Sequence, residues 1–195
     1  MSSINRAAGE IHCKLVYYGP GLGGKTSNLQ YLYSQLPPER RSQMISLATE
    51  GDRTLFFDFL PLELGQVRGF RTRLHLYTVP GQVFYKSSRL MILRNTDGIC
   101  FVADSQPERQ EANLEALADL ESNLSELGQK LAELPYVLQL NKRDLPTALP
   151  VEELTANLRR GQEPVIAACA ANGEGVAETL QELARRVLAR LAATG

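Results

Sequence analysis

The chain has 195 residues, 44% hydrophobic and 22% charged, with 21 Lys+Arg against 22 Asp+Glu for a formal charge of −1. That balance gives no electrostatic basis for binding nucleic acid or an acidic membrane surface, and it excludes a disordered, collagenous or mucin-like chain. One domain is expected, burying roughly 70% of the surface its unfolded form exposes, and no run approaches the ~18 apolar residues of a membrane helix.

Taken from the N-terminus, residues 1–10 form a short arm before the β-branched and aromatic run Ile11 to Tyr18, which reads as a strand stopped by Gly19. Lys25 to Leu36 carries helix-forming residues until Pro37 and Pro38 end it, so the first unit is strand, glycine-rich loop, helix. Leu55 to Leu60 and Arg71 to Val79 are strand-like and are joined across Pro61 and Gly65 to Gly69, a length suited to an antiparallel hairpin with an extended turn. Gly98 to Ala103 and Tyr136 to Leu140 are short, nearly continuous apolar runs, as in strands buried on both faces of a parallel sheet. Ala112, Leu117, Leu120, Leu124 and Leu127 recur at helical spacing, as do Val176, Leu180, Leu183, Val187, Leu188 and Leu191. Each set is a stripe facing a core. Strands alternating with helices imply a doubly wound α/β domain with a mostly parallel sheet, one antiparallel edge hairpin and three layers. Its ligand site lies at the C-terminal ends of the strands.

Cys13, Cys100 and Cys169 are odd in number, show no Cys-x-x-Cys spacing and read as core filler in a reducing cytoplasm. His12 and His75 are the only histidines, which leaves little from which to build a His-based metal site or a Ser-His-Asp triad. Ser2 in place of a second-position glycine and a terminus at Ala192-Ala193-Thr194-Gly195 argue against a lipid anchor.

Gly19-Pro20-Gly21-Leu22-Gly23-Gly24-Lys25-Thr26 satisfies G-x-x-x-x-G-K-[ST] between a strand and a helix. Its glycines let the backbone turn N–H groups inward around a β-phosphate at the helix N-terminus, so Gly19, Gly21, Leu22, Gly23, Gly24 and Ser27 are assigned to nucleotide binding. Lys25 adds a point charge on the β- and γ-phosphates, and the Thr26 hydroxyl is a ligand for Mg²⁺. Asn141-Lys142-Arg143-Asp144 directly follows the Tyr136 to Leu140 strand and so reaches the same sheet edge. The Asp144 carboxylate can accept from guanine N1–H and the 2-amino group, where adenine offers an acceptor and a C–H. Asn141 would brace the loop and the base edge, and the Lys142 stem could cover the base face.

These loops, with Leu55-Phe-Phe-Asp-Phe-Leu-Pro-Leu62, Tyr77-Thr-Val-Pro-Gly-Gln82 and Phe101-Val-Ala-Asp-Ser105, make the sequence resemble the Ras-like small GTPases, and within them the bacterial MglA-type family. The resemblance spans nearly the whole chain. It implies a P-loop NTPase fold of the Ras-like G-domain type. It further implies a switch that binds GTP or GDP with Mg²⁺, slow intrinsic hydrolysis, a homodimeric roadblock-type activating partner called MglB, and a role in cell polarity and gliding. Carried over by position, Gly81 would offer its N–H to the γ-phosphate and Gln82 would orient the attacking water. Thr78 stands where most small GTPases have an aspartate that holds Mg²⁺ through water, so Asp58 on the neighbouring strand is a candidate for part of that role, with an outward-pointing acid as the alternative.

The segment Thr49 to Thr54 occupies the place of the first switch: Thr54 is the candidate hydroxyl for Mg²⁺ and γ-phosphate, Thr49 is its rival, and Arg53 resembles an arginine finger supplied within the chain. In the loop Cys169 to Val176 the backbone N–H of Ala170 is placed to reach guanine O6, with a plain strand-to-helix turn as the alternative. Phe56, Phe57, Phe59 and Leu60 are either a partner surface or packing under the sheet. Two other classes compete with the switch reading: a nucleotide-binding module without turnover, and a P-loop phosphotransferase, for which Asn141 to Asp144 would have no purpose.

Overall fold

The computed structural model describes residues 3–5, 8–37, 45–49, 53–67, 69–80 and 86–194. In chain order the strands are β1 (Ser3–Asn5), β2 (Glu10–Tyr18), β3 (Ile45–Thr49), β4 (Arg53–Val67), β5 (Phe70–Thr78), β6 (Gly98–Asp104), β7 (Tyr136–Asn141) and β8 (Val165–Ala167). The helices are α1 (Lys25–Gln35), α2 (Lys86–Leu93), α3 (Gln110–Glu126), α4 (Val151–Leu158) and α5 (Val176–Thr194).

All eight strands form one sheet in the order β3-β4-β5-β2-β6-β7-β8, with β1 alongside β2. The five strands from β5 to β8 are parallel, β4 runs antiparallel to both of its neighbours, and β1 runs antiparallel to β2. The proposed N-terminal arm therefore includes a strand, which occupies the part of β2 (Glu10 to His12) that β6 does not reach, since β6 joins only from Leu15. The expected hairpin is present, but β4 is not the outer edge; β3 is.

The layers follow from alternation along the strands. In β2 the fully buried Cys13, Leu15 and Tyr17 face one core with Leu29 and Leu32 of α1 and Val176, Leu183 and Val187 of α5. Val16 and Tyr18 face the other, with Leu93 of α2, Leu117, Leu120 and Leu124 of α3, and Leu154 and Leu158 of α4. Every residue of β6 and β7 is buried, as continuous apolar runs require when helices cover both faces. Cys13, Cys100 and Cys169 are all free and buried, and burial, with a smaller contribution from Asp97, pushes the Cys13 thiol up to about 12. Leu60 lies in the first core, so for that residue packing is the correct account; the side chains of Phe56, Phe57 and Phe59 fall outside the described residues.

β4 passes through Pro61 and Gly65, where a loop was expected. Pro61 lacks an N–H, but the last described pairing of β4 with β3 is at Phe59, so beyond it, among the described residues, β4 pairs with β5 alone and a proline is tolerated. A bulge between Glu63 and Gly65 absorbs Leu64, and the strand continues to Val67 opposite Phe70.

One buried polar link holds α1 and α5 to the sheet beneath the site. Gln139 of β7 exchanges two hydrogen bonds with Asn28, both 2.9 Å, and donates to Thr179 Oγ1 at 2.9 Å, while all three residues are fully buried. Replacing Gln139 with leucine leaves Asn28 Oδ1 unsatisfied in the interior, so a loss of about 1–3 kcal/mol of stability is expected. Urea denaturation measures it, and a midpoint equal to or above wild type would contradict the assignment.

Candidate functional site

β2 lies between β5 and β6, so the sequence order reverses there and the loop after Tyr18 sits at the topological switch point. Tyr18 anchors the loop's base: its hydroxyl donates to Asp119 and accepts from Asn123 Nδ2 at 3.0 Å. Burial first, then the Asp119 carboxylate, keeps its phenol protonated far above the usual range.

The phosphate loop itself is held by its carbonyl oxygens. Lys25 Nζ, on a residue only 7% exposed, donates to Gly19 O at 3.0 Å and Pro20 O at 2.7 Å. Arg109 Nη2 donates to Gly21 O at 2.7 Å, and Asn141 Nδ2 donates to Gly23 O at 2.8 Å. Gly24 O accepts from both the backbone N–H and Nδ2 of Asn28, at 3.0 and 2.9 Å. In a planar trans peptide the carbonyl and the following N–H point in opposite directions. Tying back the carbonyls of 20, 21, 23 and 24 therefore turns the N–H groups of Gly21, Leu22, Gly24 and Lys25 away from those partners. Gly23 N–H is the exception, closing a turn onto Pro20 O at 3.2 Å. The first turn of α1 contains no acidic residue, so its N-terminal partial positive charge is uncancelled. Two glycines are dictated by close approach: at Gly19 (φ +138) a Cβ would sit 2.2 Å from Val102 O, and at Gly24 (φ +97) 2.0 Å from Asn141 Nδ2.

Asn141, at the end of β7, joins three loops. Besides its bond to Gly23 O, its Oδ1 accepts from Ala170 N–H at 2.9 Å. Asn141 thus links the glycine-rich loop to the loop after β8, and its Nδ2 keeps a second hydrogen. The Ala170 N–H donates to Asn141, and the N–H of the exposed Ala171 next to it makes no hydrogen bond among the described residues. Lys142, at φ +64, sends its amine back to Asp104 Oδ2 at 2.6 Å. Its stem crosses the floor between the base loop and β6. Asp144 is exposed and its carboxylate has no hydrogen-bond partner or ion pair among the described residues. Thr26 and Ser27 lie half-buried in the first turn of α1.

Toward the first switch, Phe59 pairs with Tyr77, so residues 53–57 carry β4 about 16 Å past the end of β5 at ~3.3 Å per residue. That is the phosphate-loop edge, because β4 runs opposite to the parallel strands. Arg53 and Thr54 begin this extension, paired with Thr49 and Ala48, and Asp58 pairs with Ser46. The rival threonines therefore face each other's neighbours across one ladder. Thr78 is fully buried at the end of β5. Gly81 and Gln82 lie outside the described residues.

Sequence reasoning missed Arg109, Asp104 and the Asn28–Gln139–Thr179 link. Asp104 had a legible signal, an acid ending a wholly apolar strand at the ligand edge; Arg109 had none.

A glycine-rich phosphate loop and a base-reading loop, cross-linked by one asparagine at the switch point of a doubly wound sheet, define a P-loop GTPase of the Ras-like class. The chain belongs to the ADP-ribosylation factor family, which matches residues 62–187. It is 58% identical over 191 residues, 98% of each chain, to the Mutual gliding-motility protein MglA of Myxococcus xanthus. It is also 28% and 26% identical to the ADP-ribosylation factor-like protein 6 of Caenorhabditis briggsae and of Caenorhabditis elegans, over 92% of this chain and 88% of each relative. Among the described residues no helix is long and apolar enough to cross a membrane.

Proposed function

We propose that this GTPase is a nucleotide switch for cell polarity and gliding motility, cycling between GTP and GDP in the cytoplasm and at a cell pole, and accelerated by a roadblock-type homodimer of the MglB kind. The near-complete match at 58% identity to a gliding-motility protein supports the process. The observation that carries the reaction is the phosphate loop whose Pro20, Gly21, Gly23 and Gly24 carbonyls are each held by a hydrogen bond, which turns the amides that follow Pro20, Gly21 and Gly23 away from those partners and suits them to a β-phosphate.

In this reading Gly19 to Ser27 and Lys25 bind the phosphates, Asp144 accepts from the guanine N1–H and 2-amino group, and the free hydrogen of Asn141 Nδ2 reaches the purine edge. The backbone amide of Ala170, with that of Ala171 beside it, donates to guanine O6. The hard oxygen donors Thr26, Thr54 and Asp58 suit Mg²⁺, which prefers a few protein oxygens and keeps several waters. When bound, Mg²⁺ neutralises charge on the β- and γ-phosphate oxygens. Gly81 holds the γ-phosphate through its amide, Gln82 orients the attacking water, and Arg53 stabilises the developing charge. Because β4 overshoots the sheet edge, a partner gripping residues 49 to 58 can move Arg53 and Thr54 together relative to the phosphate loop.

The test is turnover of GTP and ATP with and without the roadblock partner, in wild type and Arg53→Ala. Partner-stimulated hydrolysis specific to GTP is expected, with a loss of about 10³-fold or more of the stimulated rate in the variant. Equal use of ATP would overturn the guanine reading, and an Arg53→Ala rate equal to wild type at saturating partner would remove the finger.

A further inference from the structure

The carbonyls of Gly19, Pro20, Gly23 and Gly24 are tied by groups that belong to the phosphate and base loops or to α1; the carbonyl of Gly21 is tied from elsewhere. Arg109 ends the short turn Pro107–Arg109 between β6 and α3, and its Nη2 lies 2.7 Å from Gly21 O. The guanidinium is seated by Asp104, whose Oδ2 is 3.7 Å from Arg109 Nε and 2.6 Å from Lys142 Nζ. Asp104 is fully buried and immobilised on every side. Its carboxylate accepts from the Gln106 backbone at 3.1 Å and from Gln106 Nε2 at 3.1 and 3.3 Å, and Asn113 bonds both its N–H and its carbonyl at 2.9 and 2.8 Å. A buried carboxylate shared by two cations draws both toward one point, so the positions of Arg109 and Lys142 are linked through Asp104.

The residue after Gly21 is where that linkage matters. Leu22 is 63% exposed and takes φ +63, a left-handed conformation that costs a side-chain-bearing residue roughly 1–2 kcal/mol. It is flanked by two external ties, Arg109 on Gly21 O and Asn141 on Gly23 O. Holding Gly21 C=O toward Arg109 is what turns the Leu22 N–H the other way.

We infer that Arg109, seated by Asp104, is a positioning residue for the β-phosphate. It holds the Leu22 amide toward the nucleotide diphosphate, and the shared carboxylate locks the phosphate loop to Lys142 of the base loop. This rests on the guanine-nucleotide reading above and adds to it a residue outside both motifs.

A merely structural arginine would, when removed, weaken every ligand alike, whereas a β-phosphate positioner acts only on ligands that possess one. Displacement of a fluorescent GDP by GDP and by GMP therefore separates the two. For Arg109→Ala, GDP binding is expected to weaken about tenfold and GMP binding less than twofold, the loss of one charge-assisted hydrogen bond acting through the phosphate. Arg109→Lys should recover part of the GDP loss, while Lys142→Ala should weaken GDP and GMP by the same factor. Equal losses of GDP and GMP in Arg109→Ala, or no loss of either, would overturn the inference. Should the alanine variant fail to fold, Arg109→Lys and Arg109→Gln carry the same comparison. Wild-type protein that binds neither nucleotide overturns the guanine reading and the inference with it. Wild type that prefers GDP, beside an Arg109 variant with an unchanged GDP-to-GMP ratio, overturns the inference alone.

Discussion

Asp144→Asn is expected to weaken GDP and GTP binding by about 10²–10⁴-fold and to give preference to xanthine nucleotides, because two charge-assisted hydrogen bonds of roughly 1.5–3 kcal/mol each depend on that carboxylate. Guanine presents two donors, N1–H and the 2-amino group, to an acceptor-only group. Asparagine offers one acceptor and one donor, and xanthine, with a carbonyl at C2, presents the matching donor and acceptor. The wild-type carboxylate is exposed and has no partner among the described residues, so the substitution disturbs no internal contact and its effect reads recognition rather than folding. Competition of GDP and XDP for a fluorescent nucleotide measures the change. An Asp144→Asn variant that keeps wild-type GDP affinity would remove this residue from base recognition.

Gly24→Ala is the second large effect, and here the cause is steric. The residue sits at φ +97 as the cap of α1, and an added Cβ would lie 2.0 Å from Asn141 Nδ2. Asn141 has no slack to give, since that nitrogen is bonded to Gly23 O and the oxygen of the same amide to Ala170 N–H. Relief of the clash must break the asparagine's links and so release the phosphate loop from both base loops together. A loss of about 10²–10³ in GDP affinity is expected, from two hydrogen bonds broken plus the strain of a side chain in the left-handed region. The dissociation rate of a fluorescent GDP reports it, and a rate within threefold of wild type would show that Asn141 does not couple these loops. Gly24→Ala should impair both phosphate and base contacts, whereas Asp144→Asn should alter base choice alone.

The chain's local order was largely legible. Strands β2, β6 and β7 each begin or end within a residue of where the apolar runs place them, and α3 and α5 carry the stripes that the helical spacing marks. The buried runs are legible because few polar residues interrupt them, Gln139 in β7 being the one that Asn28 and Thr179 satisfy inside the core. What was not legible is short or depends on neighbours. β8 is three residues long, and α2 and α4 have eight each, too few for a period to repeat convincingly. β3 exists because β4 supplies its hydrogen-bonding partner, and the long course of β4 through Pro61 and Gly65 because β5 does, a condition no local pattern encodes.

The same division runs through the site. The order of glycines, Lys25 and Thr26, and the sequence Asn141 to Asp144, by themselves determined that these two motifs lie on one sheet edge, because each follows a buried parallel strand and such strands end together. Only the tertiary structure decided how the loops are held. Asn141 ties Gly23 to Ala170, and Arg109 reaches Gly21 from Asp104 across 88 positions of sequence. Those ties are single hydrogen bonds between residues remote along the chain. Their geometry is set by how three layers pack, not by any spacing a linear pattern can carry.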